Sequence, residues 1–287
     1  MRKSKLQLLG AMGIFGTIGL FIRYLPLSSA AIAFFRGVMG VLFLILIMAL
    51  SGKKPDLPAI RKNLVLLIVS GAAIGVNWIL LFEAYRYTTV ATATVCYYLA
   101  PLFLLLASPL LGERLTLKKL LCVSVALAGM VCVSGVPEGA LPTAAELTGI
   151  ALGVAAAVLY ASVMVLNKKL SPIPAYDKTI LQLGSAALVI LPYLLLAGEL
   201  SLTGLSGMQW ILLCIVGIVH TGIAYALYFG SMKDLKAQTI AIFSYIDPVV
   251  AVLLSAVVLR ERITVTGVVG AVLILGSALY SELPEKK

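Results

Sequence analysis

The chain has 287 residues, of which 61% are hydrophobic and only 12% charged, and its mean hydropathy is +1.09. This composition excludes a soluble globular domain, which needs far more polar residues to cover its surface. The net charge of +10 does not indicate a nucleic-acid partner, because the basic residues form short pairs such as Lys53-Lys54 between long apolar runs.

Ten apolar runs follow one another along the chain, and each is predicted to be a membrane-spanning α-helix. The fold class is therefore all-α and polytopic. The longest connection, 137–146, separates 1–136 from 147–287 and is predicted to join two five-helix repeats. The predicted spans are 6–24, 30–50, 64–85, 91–111, 117–135, 147–166, 179–197, 208–230, 239–259 and 265–279.

The distribution of lysine predicts the orientation. With the N-terminus in the cytoplasm, all fourteen lysines fall on cytoplasmic segments, whereas the basic residues of the outer loops are all arginines and lie beside acids such as Glu199. An excess of lysine and arginine is typical of the cytoplasmic loops of membrane proteins. It predicts a multi-pass protein of the cell (inner) membrane, surrounded by lipid, with both termini in the cytoplasm.

Residues 77–101 and 224–248 align at an offset of 147 residues and form an internal repeat. The matches include Phe82 with Phe229, Tyr98 with Tyr245, and Pro101 with Pro248. Because each half holds an odd number of spans, the second half must be inverted relative to the first. Inverted repeats are typical of alternating-access transporters, which bind substrate between the halves. Chance similarity between apolar helices is the alternative.

Aromatic and hydroxyl side chains recur at helical spacing in both repeats. Thr94, Tyr97, Tyr98 and Pro101 share one face of the fourth span. Such a face predicts a substrate cavity, although ordinary helix packing is the alternative. Pro101 and Pro248 are predicted to kink their helices. The further candidate lining residues are Trp78, Phe82, Tyr225, Tyr228, Ser244 and Tyr245.

Four ionisable residues stand out in the predicted spans, where a charge is costly unless it is paired or hydrated. Asp247 is the strongest functional candidate and is predicted to couple transport to protons. His220 is a second proton-coupling candidate, although a packing role is the more usual one for a lone histidine. For Arg36 and Glu83, substrate contact and a structural ion pair are both open.

The chain resembles the drug/metabolite transporter superfamily and, within it, the ten-helix EamA family. The resemblance rests on 82–88 (FEAYRYT), 98–103 (YLAPLF) and 112–116 (GERLT), with weaker second copies at 245–248 (YIDP) and 260–264 (RERIT). It covers nearly the whole chain and implies two five-helix repeats. It does not imply one substrate, because the family includes transporters of amino acids, other metabolites and drugs.

Two transport hypotheses follow. The first is export of a small amphipathic metabolite, with amino acids as the first candidates. In this hypothesis Arg36 binds a carboxylate of the substrate, and Glu83 or Asp247 binds an ammonium group. The alternative is proton-coupled transport of organic cations, held by a buried acid and several tyrosines. The expected partners are lipids, a small-molecule substrate and protons, in a monomer or weak homodimer.

Enzymatic function is not expected. The chain has one histidine and no HExxH, GxSxG or P-loop motif, so it offers no usual set of catalytic or metal-binding residues. We therefore predict no cofactor and no metal. A channel is a further alternative, but no filter-like segment is present.

Overall fold

The structure is a computed structural model that describes residues 2–88, 90–134, 143–258 and 265–283. Within these ranges the chain forms thirteen α-helices, one 3₁₀ segment (Ser108–Leu111) and one π segment (Ile218–Ile223), with no strand. The α-helices are α1 (Arg2–Ile22), α2 (Ser29–Leu50), α3 (Leu57–Tyr87), α4 (Val90–Tyr97), α5 (Ala100–Ala107), α6 (Leu117–Ser134), α7 (Ala144–Lys169), α8 (Ala175–Ala197), α9 (Gly207–Gly217), α10 (Ala224–Met232), α11 (Ala237–Phe243), α12 (Ile246–Val258) and α13 (Val265–Glu282).

Every predicted span coincides with one helix or with consecutive helical segments. Among the described residues, seven stretches are long and apolar enough to cross a membrane, and two shorter apolar stretches lie at 237–250 and 265–281. Large apolar side chains such as Leu196 and Val265 face outwards, with exposed fractions of 91% and 80%. These features confirm an all-α, polytopic membrane fold.

Three predicted spans are interrupted instead of continuous. The fourth breaks at Tyr98 and Leu99, between α4 and α5, and the ninth breaks at Ser244 and Tyr245, between α11 and α12. Pro101 and Pro248 lie in the first turn after each break, where a proline removes no helical hydrogen bond. Leu99 and Ser244 keep right-handed helical dihedral angles, so each break is a local interruption of the helical hydrogen bonds within one span, and the kinks at Pro101 and Pro248 stay predictions.

The eighth span contains the π segment between α9 and α10. The Thr221 hydroxyl donates to Val216 O at 3.0 Å, and His220 Nδ1 lies 3.4 Å from Ile215 O. Both partners are five residues earlier, which matches the π spacing. This wider turn places Gly222 in contact with α2.

Helix packing is symmetric under exchange of the halves. α3 packs on α7 and α8, and correspondingly the eighth span packs on α1 and α2. Likewise α1 lies against α12, while α7 lies against α4 and α5. The pairs α2–α8 and α6–α13 join each span to its own counterpart.

Glycines permit the closest approaches, and these too occur in matching pairs. A Cβ at Gly75 would lie 2.8 Å from Ala186 O, and one at Gly222, 147 residues later, would lie 3.0 Å from Phe43 Cδ1. A Cβ at Gly16 of α1 would lie 2.5 Å from Asp247 O. These contacts bring the two halves into close contact where α3 meets α8, where the π segment meets α2 and where α1 meets α12.

Lysine side chains, of which Lys178 is buried, bond the carbonyl ends of two helices. Lys178 Nζ donates to Phe229 O at 2.6 Å and Lys168 Nζ to Met232 O at 3.2 Å, at the end of α10. Lys119 Nζ donates to Ser281 O at 2.6 Å at the end of α13, and Lys118 Nζ donates to Leu283 O. A cation at a helix C-terminus is favourable because it offsets the helix dipole.

Candidate functional site

A cavity of about 280 Å³ lies between the two halves. It reaches the end of the bundle where α1 ends and α2 begins, and it stops at the breaks in the fourth and ninth spans. Its walls come from α1, α2, α3, α4, α5, α7, α10 and α12. The lining residues are Met12, Phe15, Ile18, Ile22, Ser29, Ile32, Ala33, Arg36, Trp78, Leu81, Phe82, Tyr85, Tyr97, Tyr98, Ala100, Pro101, Tyr160, Tyr225, Ser244 and Asp247.

Arg36 is the cation of this cavity. Its guanidinium lies over the Trp78 ring, with Cζ 4.4 Å from the ring centroid. Arg36 Nε is buried and has no hydrogen-bond partner among the described residues. A buried donor without a partner is costly. The face of the Trp78 indole stabilises the positive charge of the guanidinium. The unpaired Nε–H remains available to donate to an acceptor on a bound substrate.

Asp247 is the carboxylate of the cavity. It lies in the first turn of α12, directly after the break in the ninth span, where the helix dipole favours a negative charge. The Tyr98 hydroxyl donates a hydrogen bond to Asp247 Oδ1. The corresponding residue in the first half is Ala100, so the acid is present on one side of the repeat only.

The two interrupted helices contact each other at the floor of the cavity. The Tyr245 hydroxyl donates to Tyr98 O at 2.8 Å, and the two rings stack with centroids 6.1 Å apart. Tyr245 therefore satisfies a carbonyl at the break in the first half, while Tyr98 binds the acid at the break in the second.

Hydrogen bonds between the halves close the bundle beyond this floor. Glu113 accepts from Ala237 N at 2.7 Å and from Gln238 N at 3.3 Å, and thereby caps α11. The Gln238 side chain donates to Ser108 Oγ at 3.1 Å and to Arg114 O at 2.8 Å. The cavity consequently reaches only one end of the molecule. The second-copy motif 260–264 lies outside the described residues.

Most of the predicted site residues meet at this cavity. The structure brings Arg36, Trp78, Phe82 and Asp247 together with residues of both repeats. The Ser244 hydroxyl, however, donates within its own segment, to Ile240 O at 2.8 Å. The other predicted residues that line the cavity are Tyr97, Tyr98, Tyr225 and the helix-break residue Pro101.

Five predicted residues are not among those that line it. Tyr245 and Tyr228 are completely buried beneath it, and the Tyr228 hydroxyl accepts from Tyr160 at 3.1 Å. Pro248 is also buried there. Glu83 pairs with Arg86 at 3.1 Å and accepts from the Tyr193 hydroxyl, so its polar contacts are structural ones.

His220 is the fifth of these residues. Its Nε2 lies 2.7 Å from Thr17 Oγ1, and its ring packs 4.9 Å from the Phe21 ring. It is almost completely buried, with 1% of its surface exposed. The structure thus gives this histidine hydrogen-bond and packing partners away from the cavity.

Three further aromatic residues line the cavity, of which Tyr85 lies on the same face of the third span as Trp78 and Phe82. Phe15 of α1 packs 5.1 Å from Tyr225, Tyr160 of α7 stacks on Tyr97 at 5.4 Å, and Tyr85 lies 6.5 Å from Phe82. Met12, Phe15, Ile18 and Ile22 recur along one face of α1, a spacing that could have suggested the wall.

Comparison with known proteins gives a consistent result. The chain is 31% identical to the uncharacterised transporter YxxF of Bacillus subtilis over 271 residues, which cover 94% of this chain and 86% of that protein. It is 30% identical to a transporter of Archaeoglobus fulgidus, with 98% and 97% covered. It is 28% identical to a protein of Ancylobacter novellus named aromatic amino acid exporter YddG, with 70% of each chain covered.

The fold also matches a solved crystal structure with a TM-score of 0.87 and 21% identity, covering 98% of this chain and 97% of the other. That match concerns the fold alone. The sequence profile of the EamA-like transporter family matches twice, over residues 3–135 and 147–281. Because the two matches together span most of the chain, it belongs to the EamA-like transporter family.

Proposed function

We propose that this transporter exports a small amphipathic metabolite across the cell membrane, with amino acids as the substrate class. The observation that carries the proposal is that Arg36 and Asp247 line one otherwise aromatic and aliphatic cavity. A zwitterion needs both an anion-binding and a cation-binding group, and this cavity supplies one of each. The exporter from Ancylobacter novellus is named for aromatic amino acids, which supports the same class.

Each part of such a substrate has a counterpart in the lining. The unpartnered Nε of Arg36 suits a carboxylate, which guanidinium groups bind through charge-assisted hydrogen bonds. Asp247 suits the ammonium group. Phe15, Phe82 and Tyr97 supply an apolar wall for a side chain, and aromatic pairs favour edge-to-face or offset contacts.

We further propose that the halves are inserted in opposite orientations and that transport proceeds by alternating access. The symmetric helix packing supports this arrangement, as does the contact between the two interrupted helices. With both termini in the cytoplasm, the cavity reaches the outer face and the hydrogen bonds of Glu113 close the inner one. The structure then corresponds to an outward-facing state.

Proton coupling through Asp247 is the finer part of the proposal. Protonation removes the charge that holds the ammonium group, so substrate binding to the wild type should weaken as the pH falls. In Asp247→Asn we expect weaker binding that no longer changes with pH. Isothermal titration in detergent across a pH series measures both effects.

His220→Gln is the matched control, because an imidazole is also ionisable but His220 lies outside the cavity lining. We expect it to keep the wild-type pH dependence. If Asp247→Asn kept the dependence and His220→Gln removed it, coupling through Asp247 would be wrong and the histidine would take its place.

Organic-cation transport is the second candidate, favoured by a specific observation. Asp247 lies in the same cavity as Tyr97, Tyr98 and Tyr225, and a carboxylate among tyrosines can hold a protonated or quaternary amine. Arg36 argues against this candidate, since a second cation in the cavity would repel such a substrate.

The discriminating experiment compares three ligands of similar shape on the purified protein. These are phenylalanine, phenethylamine without the carboxylate, and phenylpropionate without the ammonium. The proposal predicts that phenylalanine binds most tightly and exchanges across proteoliposomes. Tighter binding of phenethylamine than of phenylalanine would overturn the amino-acid assignment in favour of the organic cation.

A further inference from the structure

The helices α2 and α8 occupy corresponding places in the two halves. They pack on each other, and each also packs on the third span of the opposite half, α8 on α3 and α2 on the π segment. A Cβ at Gly75 of α3 would lie 2.8 Å from Ala186 O of α8. One at Gly222 of the π segment would lie 3.4 Å from Gly40 O of α2. Gly40 and Ala186 are therefore equivalent, which gives an offset of 146 residues between α2 and α8.

The same offset makes Gln182 of α8 the counterpart of Arg36 of α2. Each has a buried polar atom without a hydrogen-bond partner among the described residues, Gln182 Oε1 and Arg36 Nε. Only one further side chain in the described ranges, Asn167, has such an atom. Gln182 is completely buried, and its Nε2 donates to Ser70 Oγ at 2.5 Å. A buried acceptor without a partner costs free energy, and an unpaired group at one position of both halves indicates a shared role.

The polar character of α8 extends along the face that corresponds to the cavity-lining face of α2. Lys178, Thr179 and Gln182 are all buried there. Lys178 and Thr179 donate to carbonyl oxygens, which leaves Gln182 as the member with an unused acceptor. Because polar side chains within a membrane span are costly, this face is suited to meet water or a polar ligand in another conformation. The α2 residues that line the cavity are Ser29, Ile32, Ala33 and Arg36.

We propose that Gln182 contacts the substrate when the protein opens to the cytoplasm. The inference rests on the alternating access proposed above. When the two halves exchange conformations, α8 takes the place that α2 has here, and Gln182 takes the place of Arg36. The Gln182 amide then donates to the substrate carboxylate through Nε2, and Oε1 accepts from the ammonium group or from water.

Labelling from each side of the membrane tests the exposure of Gln182. Single cysteines are introduced into a chain whose four native cysteines are replaced by alanine. A membrane-impermeant maleimide is applied to spheroplasts, which present the outer face, and to inverted vesicles, which present the cytoplasmic face. We expect Arg36→Cys to react in spheroplasts and Gln182→Cys in inverted vesicles. Leu183→Cys is the control and should react in neither, because its counterpart Gly37 does not line the cavity.

The labelling results separate this inference from the proposed substrate. Reaction of Arg36→Cys without any reaction of Gln182→Cys would overturn the inward exposure of Gln182. Saturating phenylalanine should protect both cysteines. Protection of Arg36→Cys alone would overturn substrate contact by Gln182. Protection of neither, with labelling from the expected sides, would support the inward exposure of Gln182 and contradict the amino-acid assignment.

Two further variants separate substrate contact from helix packing. Gln182→Leu removes the amide and should slow phenylalanine exchange about tenfold, since a hydrogen bond to a charged group is lost. Ser70→Ala removes the bond between α3 and α8 but leaves the amide in place. Inward opening must break that bond, so Ser70→Ala should not slow exchange. Equal slowing in both variants would show that Gln182 acts through α3 and would overturn the proposal, and Tm identifies variants that fail to fold.

Discussion

Replacing Gly16 by alanine is expected to destabilise the protein and to abolish transport. A Cβ at this position would lie 2.5 Å from Asp247 O and 2.6 Å from Val250 Cβ. The nearest obstacle is backbone, so α1 and α12 must separate at the floor of the substrate cavity. Overpacking of this kind costs about 1–3 kcal/mol. We expect a lower Tm in detergent and loss of amino-acid exchange in proteoliposomes.

The same helix supplies the controls. Gly13 and Gly19 also lie in α1, and a Cβ at either would meet nothing within 4 Å. Alanine there should leave Tm unchanged or raise it slightly, because alanine is the better helix former. Equal destabilisation in all three variants would show that glycine matters for the helix itself, and not for its contact with Asp247.

Arg36→Gln is expected to weaken phenylalanine binding by roughly 30-fold or more, because a charge-assisted hydrogen bond to the carboxylate is worth about 2 kcal/mol. Binding of phenethylamine, which has no carboxylate, should not weaken. Phenylalanine on the variant should therefore resemble phenethylamine on the wild type. Titration of both ligands against both proteins gives the coupling between the guanidinium and the carboxylate.

Arg36→Lys separates charge from geometry. The ammonium keeps the positive charge but loses the planar group that lies over Trp78, so an intermediate affinity is expected. Tm measurements identify variants that fail to fold. A uniform loss of affinity for both ligands in Arg36→Gln would contradict direct contact between Arg36 and the carboxylate.

The spans could be predicted from sequence because hydropathy records which segments face lipid. The breaks at Tyr98 and Ser244 were harder to predict from the sequence. Pro101 and Pro248 mark their neighbourhood, but a proline in a span is compatible with either a bend or an interruption. The bond from the Tyr245 hydroxyl to Tyr98 O joins the halves at these positions, and neither span alone predicts it.

The site was predicted only in part, for a similar reason. Arg36 and Asp247 are recognisable because a charge inside a span needs an explanation. For Glu83 the sequence left substrate contact and an ion pair both open, and its carboxylate bonds Arg86 and Tyr193, a residue 110 positions away. Tyr160 joins the lining through stacking on Tyr97, a contact that no spacing within one helix predicts.

The lysines at the ends of α10 and α13 have a consequence for how the sequence can vary. The orientation in which a helix inserts into the membrane depends on the number of positive charges in its loops, and a lysine can move by a residue or two without changing that number. A hydrogen bond to a carbonyl oxygen at a fixed place is lost by the same movement. Shifting Lys178 or Lys119 by one position would keep the charge count of its segment, yet leave buried acceptors without donors. Biogenesis and the finished fold thus place different demands on the same side chains, and the stricter demand comes from the fold.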